Sequence, residues 1–111
     1  MSLSSETFGS VVVIHAPDEL LQETAQALQD SVRTHLEQGH ARIVLQMDRT
    51  DLFDSQGLES LLDVQEGIRA QGGRVCLSGL TDTARTVLEM TRLDRCFEHY
   101  ESVIDAVSHL K

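Results

Sequence analysis

The apolar residues of this chain follow two different periods that alternate along the sequence. Short continuous runs of β-branched and aliphatic residues, each ended by a polar or turn-forming stretch, are typical of strands covered on both faces. Such runs occupy residues 11–14, 43–47 and 75–77. Residues 97–100 are too few to classify by their period, and we interpret them as a short strand before the last helix. The sequence therefore predicts three core strands and one short additional strand.

Four other segments space their apolar residues three or four positions apart, which is the pattern of amphipathic helices with one buried face. They cover residues 21–36, 58–68, 81–91 and 103–110. Gly39 and Gly72 follow the first two segments, where glycine most easily adopts the left-handed conformation that ends a helix. Thr81 and Ser102 stand at the starts of the last two segments, and we predict that they are N-caps.

Strands that alternate with helices through short connections indicate an α/β fold, with a mostly parallel or mixed sheet of four to five strands and helices packed on it. A length of 111 residues with 41% hydrophobic residues suits a single domain. Residues 1–9 are rich in serine and show no periodic apolar pattern. We therefore expect a flexible N-terminal leader over residues 1–9 and the folded domain over residues 10–111.

The net charge of the chain is −9, from 18 acidic and 9 basic side chains. A surface of this sign repels phosphate backbones, so we expect no nucleic-acid partner. The apolar runs are far shorter than the roughly 20 residues of a membrane span, and the two cysteines have neither metal-ligand nor secreted-disulfide spacing. We therefore expect a cytoplasmic protein that does not insert into membranes and that needs no metal or cofactor.

Residues 51–58 are the first place to look for a functional site, because ligands of open α/β sheets gather where strands end and helices begin. Ser55 comes just before the helical pattern that includes Leu58, near unpaired backbone N–H groups and the positive end of the helix dipole. A phosphoryl group there would add roughly −1.5 to −2 charges beside Asp54 and Asp51. From spacing alone, an ordinary N-cap serine is the more common interpretation.

Several segments resemble the STAS domain family, and the resemblance extends from Val11 to Leu110. Residues 53–58 (FDSQGL) are similar to the family's Asp-Ser-Ser/Thr-Gly-Leu segment, in which the serine directly after the aspartate is phosphorylated in anti-sigma factor antagonists. Residues 71–75 are similar to the Gly-Gly turn that leads into the family's third core strand. Residues 87–94 (VLEMTRLD) resemble its Val-Leu-Glu-Leu-Thr-Gly-Leu-Asp segment.

The resemblance implies an anti-sigma factor antagonist that acts as a phosphorylation-controlled partner switch. Its partners would be an anti-sigma factor with serine protein kinase activity and a PP2C-type phosphatase. Ser55 would be a substrate and not a catalytic residue, because the ATP and magnesium chemistry belongs to the kinase. We expect the partner to bind Asp54, Ser55, Gln56, Gly57 and Glu59, with Gly57 letting a partner's backbone approach closely.

The sequence departs from the family pattern at a few positions. Gln56 replaces a hydroxyl residue, Glu59 replaces a small or apolar residue, and Arg92 replaces a glycine. Leu21 stands where the family often has an aspartate. These changes alter the surface that a kinase would recognise.

Two other functions stay open at this point. A STAS adaptor subunit of a transporter or of a signalling assembly would bind its partner without phosphorylation. An enzyme would have to use Cys96 with His99, or Asp51 with Asp54, as its catalytic pair. No motif orients either pair, so we predict that the protein is not an enzyme.

Overall fold

Strands and helices alternate along the chain as the apolar pattern predicts. The computed structural model describes residues 2–111, so Met1, the first residue of the predicted leader, lies outside the described residues. The strands are β1 (Ser5–Phe8), β2 (Val11–His15), β3 (Glu19–Leu20), β4 (Arg42–Gln46), β5 (Leu52–Phe53), β6 (Arg74–Ser78) and β7 (Glu98–Tyr100). The helices are α1 (Gln22–Glu37), α2 (Ser55–Ala70), α3 (Asp82–Met90) and α4 (Val103–Leu110), and a 3-10 turn covers Leu93–Arg95.

A five-stranded mixed sheet in the order β1-β2-β4-β6-β7 forms the middle of the molecule. The last four of these strands run parallel, and β1 pairs antiparallel with β2. The three predicted core runs lie side by side, so that Val13 is opposite Val44 and Val44 is opposite Cys76. All three residues are buried, as expected for strands covered on both faces. The predicted α/β fold is confirmed.

The two faces of the sheet carry different helices, because alternate residues of a strand point to opposite sides. Helices α1, α2 and α3 pack on one face, against a cluster that includes Ile43, Leu45 and Leu77. Helix α4 covers Val13 and Val44 on the other face. Within residues 2–111, no helix combines the length and the apolar character that a membrane span needs.

The predicted helix ends are confirmed. Thr81 caps α3 by accepting a hydrogen bond from the Ala84 N–H at 3.0 Å, and Ser102 caps α4 by accepting one from the Asp105 N–H at 3.1 Å. Gly39 follows α1 in the left-handed region, with φ of +84°. Glycine is favoured there because it has no Cβ to collide with the backbone.

The N-terminal leader predicted over residues 1–9 needs a correction, because Ser5–Phe8 form the edge strand β1. Sequence pattern missed this strand because all four of its residues are exposed, so none of them has to be apolar. The His15 imidazole also contacts the Glu6 carboxylate at 2.6 Å across the pair. The folded part of the chain therefore begins earlier than residue 10.

A second, two-stranded sheet was not predicted either. Strands β3 and β5 pair in parallel over two residues each, with Glu19 opposite Leu52 and Leu20 opposite Phe53. Two residues are too few to show a period of two, so no sequence pattern marks them. Because β3 leads into α1 and β5 leads into α2, this small sheet brings the N-termini of the two helices together.

Candidate functional site

Ser55 lies at a helix start, as the sequence predicts, because it is the first residue of α2. It also follows the end of β5 by two residues, and that strand was not predicted. Its side chain is exposed, and among residues 2–111 its hydroxyl makes no hydrogen bond. The N-cap interpretation of Ser55 is wrong, because Asp54 is the N-cap of α2. The serine hydroxyl is therefore not needed to satisfy the start of the helix, and it stays accessible to another protein.

Asp54 joins the starts of two helices. Its Oδ1 accepts a hydrogen bond from the Gly57 N–H at 2.7 Å, and its Oδ2 accepts one from the Gln22 N–H at 3.0 Å. The hydrogen bond from Gly57, followed by that from Gln22, lowers the pKa of the Asp54 carboxyl below its usual value. Asp54 is thus held in the charged form by the ends of α1 and α2, which favour a negative charge.

The second of these contacts accounts for an unusual residue at the start of α1. Leu21 is the N-cap of α1 and has no side-chain acceptor to offer its helix. The Asp54 carboxylate supplies that acceptor from 32 positions away. On the other side of the cap, the Thr24 hydroxyl accepts a hydrogen bond from the Leu21 N–H at 2.9 Å. The two helices therefore share one capping group.

The predicted role of Gly57 in contacting a partner needs a correction. Gly57 is buried, and the backbone that approaches it is that of Leu20 in the same chain. An added Cβ would overlap the Leu20 carbonyl oxygen and lie 3.1 Å from the Leu21 nitrogen. Gly57 therefore lets α2 pack against β3, and this packing positions Ser55. A sequence motif alone cannot distinguish this packing role of Gly57 from a contact with a partner.

The exposed part of the site is mostly polar and acidic. Gln56 and Glu59, which we predicted to contact a partner, are both exposed on α2. They line a shallow groove of about 190 Å³ between α1 and α2, together with Gln22, Ala25, Gln26, Gln29 and Asp63. This groove places polar side chains of α1 next to the predicted surface of α2.

Leu52 is a residue of this region that the sequence analysis missed. It stands three residues before Ser55, and 50% of its surface is exposed. Among the described residues it is one of four large apolar side chains that are clearly exposed, with Phe8, Met90 and Ile104. In the sequence it is a single leucine after a polar stretch, and it belongs to no periodic pattern of apolar residues. An exposed leucine three residues before Ser55 is a suitable apolar contact for a protein partner.

The two candidate catalytic pairs have different surroundings. Both oxygens of Asp54 are engaged by backbone amides, and its pKa is lowered, whereas a catalytic carboxylate pair would raise the pKa of one member. Cys96 and His99 are exposed, and no hydrogen bond joins them within residues 2–111. In the same part of the chain, no three His, Cys, Asp or Glu residues form a group that could hold a metal ion.

Comparison with known proteins gives one family. The family model described as the STAS domain matches residues 2–106. A comparison with curated protein sequences gave no significant match.

Solved structures share the fold at low sequence identity. TM1081 from Thermotoga maritima is 24% identical, with a TM-score of 0.87, and the match covers 97% of this chain and 93% of that chain. The anti-sigma factor antagonist SpoIIAA, in its unphosphorylated form, is 20% identical with a TM-score of 0.71, covering 97% and 96%. A sulfate transporter family protein from Wolinella succinogenes is 18% identical with a TM-score of 0.83, covering 95% and 88%.

Proposed function

The chain belongs to the STAS domain family, and on that premise we propose that it is a cytoplasmic anti-sigma factor antagonist that is switched by phosphorylation of Ser55. In the proposed cycle, the unphosphorylated protein binds an anti-sigma factor with serine kinase activity. Phosphorylation by that kinase then releases it, and a PP2C-type phosphatase restores the starting state. The protein acts by binding and not by catalysis.

One observation carries this proposal: Ser55 presents a free, exposed hydroxyl at the start of α2, directly after the residue that caps the helix. A kinase needs access to the hydroxyl that it phosphorylates, and the position meets this need. The structure of SpoIIAA from Bacillus in a phosphorylated form gives the proposal a precedent within the same fold.

The local charges support the direction of the switch. The Gly57 N–H at the start of α2 already donates to Asp54, so this donor does not offset the charge of a phosphoryl group on Ser55. Glu59 lies four positions further along the same face of α2 and is exposed. An added charge of roughly −1.5 to −2 in these surroundings opposes a docked partner by repulsion and by its cost of desolvation. A change of about 1.4 kcal/mol in binding free energy is enough to weaken the affinity tenfold.

The proposed docking surface consists of Leu52, Ser55, Gln56, Glu59 and the facing residues of α1. Asp54 lies at this surface, but both of its carboxylate oxygens accept hydrogen bonds from the N-termini of α1 and α2. Gly57 acts from beneath by fixing the distance between α2 and β3. The partner would therefore contact the edges of both helices and not α2 alone.

The experiment incubates the protein with the purified serine kinases of its own organism and Mg-ATP, and locates any phosphate by mass spectrometry. Ser55→Ala should abolish the phosphorylation. Ser108→Ala, which removes an exposed hydroxyl on α4, should leave it unchanged. Phosphate on another residue, or none with any kinase that binds the protein, would contradict the proposal.

The alternative function is an adaptor subunit that binds its partner without phosphorylation, and the likeness to a sulfate transporter family protein favours it. The two functions predict different effects of Ser55→Asp on affinity for the partner. A switch loses at least about tenfold in affinity, whereas an adaptor keeps its affinity until an apolar contact such as Leu52 is replaced by a charged residue.

A further inference from the structure

A pocket of about 240 Å³ lies at the far end of α2 from Ser55. Its walls include Arg69 from the last turn of α2, Arg74 from the start of β6 and Arg95 from the 3-10 turn. We call it the arginine pocket. At about 1.5 Å per residue, Arg69 is roughly 21 Å from Ser55 along the helix axis, so the two sites are separate.

The arginine pocket concentrates positive charge on an acidic protein. The chain has 9 basic side chains against 18 acidic ones, and three of those nine line this one pocket. Glu98 is the one carboxylate residue in the lining, and it is already paired with Arg74 at 2.9 Å. Within residues 2–111, Arg69 and Arg95 form no ion pair, so the pocket keeps an excess of about two positive charges.

The helix dipole explains only part of this arrangement. A cation in the last turn of a helix is stabilised by the helix C-terminus, which accounts for Arg69. Arg95 belongs to a different element, and it is placed near Arg69 by the tertiary fold. Like charges that are held close together repel each other unless an anion joins them.

Hydrogen bonds hold together the backbone segments that form the walls of the pocket. The buried Gln65 side chain donates a hydrogen bond to the Cys96 carbonyl, which ties α2 to the segment that carries Arg95. The Gly73 N–H donates to the Ile68 carbonyl at 2.9 Å, and the Arg74 N–H donates to the Ala41 carbonyl at 2.9 Å. A site whose backbone is already ordered has only its side chains to order when it binds a ligand, so it loses less entropy.

We propose that the arginine pocket binds a small, multiply charged oxyanion of the phosphate or pyrophosphate class. Guanidinium groups match such oxygens with pairs of parallel hydrogen bonds. The volume is below the range of roughly 300–1,000 Å³ that is usual for larger organic ligands, which favours the anion itself. This site does not depend on Ser55 or on the proposed switch.

The test titrates inorganic pyrophosphate into the isotopically labelled, unphosphorylated protein at constant ionic strength and follows the backbone amides by NMR. The amides of Gly73, Arg74 and Cys96 should shift in a saturable way. Arg69→Gln and Arg95→Gln should each weaken binding about tenfold, because each removes charge-assisted hydrogen bonds. Arg85→Gln, which removes an exposed arginine of α3, is the matched control and should leave the affinity unchanged.

Two results would overturn the proposal. One is a titration without saturation, or with shifts spread evenly over all exposed arginines, which is the behaviour of nonspecific screening. The other is an unchanged affinity in the double variant Arg69→Gln/Arg95→Gln. Because both side chains are exposed, the variants should keep the native amide spectrum away from the pocket, and the wild-type shift map tests the site independently of them.

Discussion

Two glycines of the same helix should respond in opposite directions to the same substitution. Gly57 and Gly67 both lie within α2. An added Cβ at Gly57 would overlap the Leu20 carbonyl oxygen, whereas at Gly67 nothing lies within 4 Å of it. We predict that Gly57→Ala destabilises the protein and that Gly67→Ala stabilises it.

The magnitudes follow from two effects. Replacing glycine by alanine inside a helix gains about 0.5–1 kcal/mol, because alanine loses less conformational freedom on folding. At Gly67 this gain stands alone. At Gly57 the methyl carbon must also move to a normal separation of about 3.5 Å from its neighbours, which requires α2 to move away from β3 by about an ångström or more. Overpacking of this kind costs about 1–3 kcal/mol, so the net loss at Gly57 is about 1–2 kcal/mol.

The assay is denaturant unfolding of both variants beside the wild type, with thermal unfolding as a second measure. A domain of this size shifts its Tm by about 4 °C per kcal/mol, so the two variants should differ by about 6–12 °C. The movement of α2 would also stretch the hydrogen bond from the Gln22 N–H to Asp54, so Gly57→Ala should change the amide signals at the start of α1. Equal stabilities of the two variants would refute the close packing of α2 against Leu20.

Three further predictions test other parts of the fold. Hydrogen bonds lower the pKa of Asp54 in the folded protein, so they stabilise the fold at pH values above the unfolded pKa of about 4. This stability is lost as the pH falls through the pKa of the folded state. Asp54→Asn should therefore flatten the acid side of a plot of unfolding free energy against pH. Arg92 has φ of +63°, a left-handed conformation that glycine adopts without strain. Arg92→Gly should therefore raise the free energy of unfolding by about 0.5–1 kcal/mol in denaturant unfolding. Arg85→Gly in the interior of α3 is the control and should lower it by about 1 kcal/mol. Burial raises the pKa of the Cys76 thiol to about 12, whereas Cys96 is exposed. Iodoacetamide at pH 8 should therefore modify one cysteine of the native protein and two after unfolding. Rapid modification of both cysteines in the native state would contradict the buried position of Cys76.

The sequence predicts those parts of the fold whose cause lies within a few neighbouring residues. The buried strands and the amphipathic helices are of this kind, because a continuous run or a spacing of three to four is visible in the sequence itself. Arg92 shows the limit of such reasoning. The family resemblance marks it as a replaced glycine, and the structure supplies the physical reason, which is a left-handed backbone between α3 and the 3-10 turn.

The candidate site depends on contacts between distant parts of the chain, and these are where prediction from sequence was incomplete. Residues 54 and 55 were correctly placed at a helix start, yet the sequence could not tell which of them caps the helix. Nor could it show that Asp54 also accepts a hydrogen bond from Gln22, whose N–H lies within reach only after β3 pairs with β5. The burial of Gly57 against Leu20 has the same origin.

The division of labour between Asp54 and Ser55 leads to a prediction about how the proposed switch would work. Asp54 holds both helix starts, so Ser55 can change its charge without removing a hydrogen bond on which the fold depends. Ser55→Asp is then a substitution at an exposed position, where the free energy of unfolding usually changes by no more than about 0.5 kcal/mol. The same variant should weaken partner binding at least about tenfold, as measured by calorimetry beside Ser55→Ala. If Ser55→Asp instead destabilised the fold as much as Gly57→Ala does, the added charge would act by loosening the start of α2 and not by repelling a partner from an intact surface.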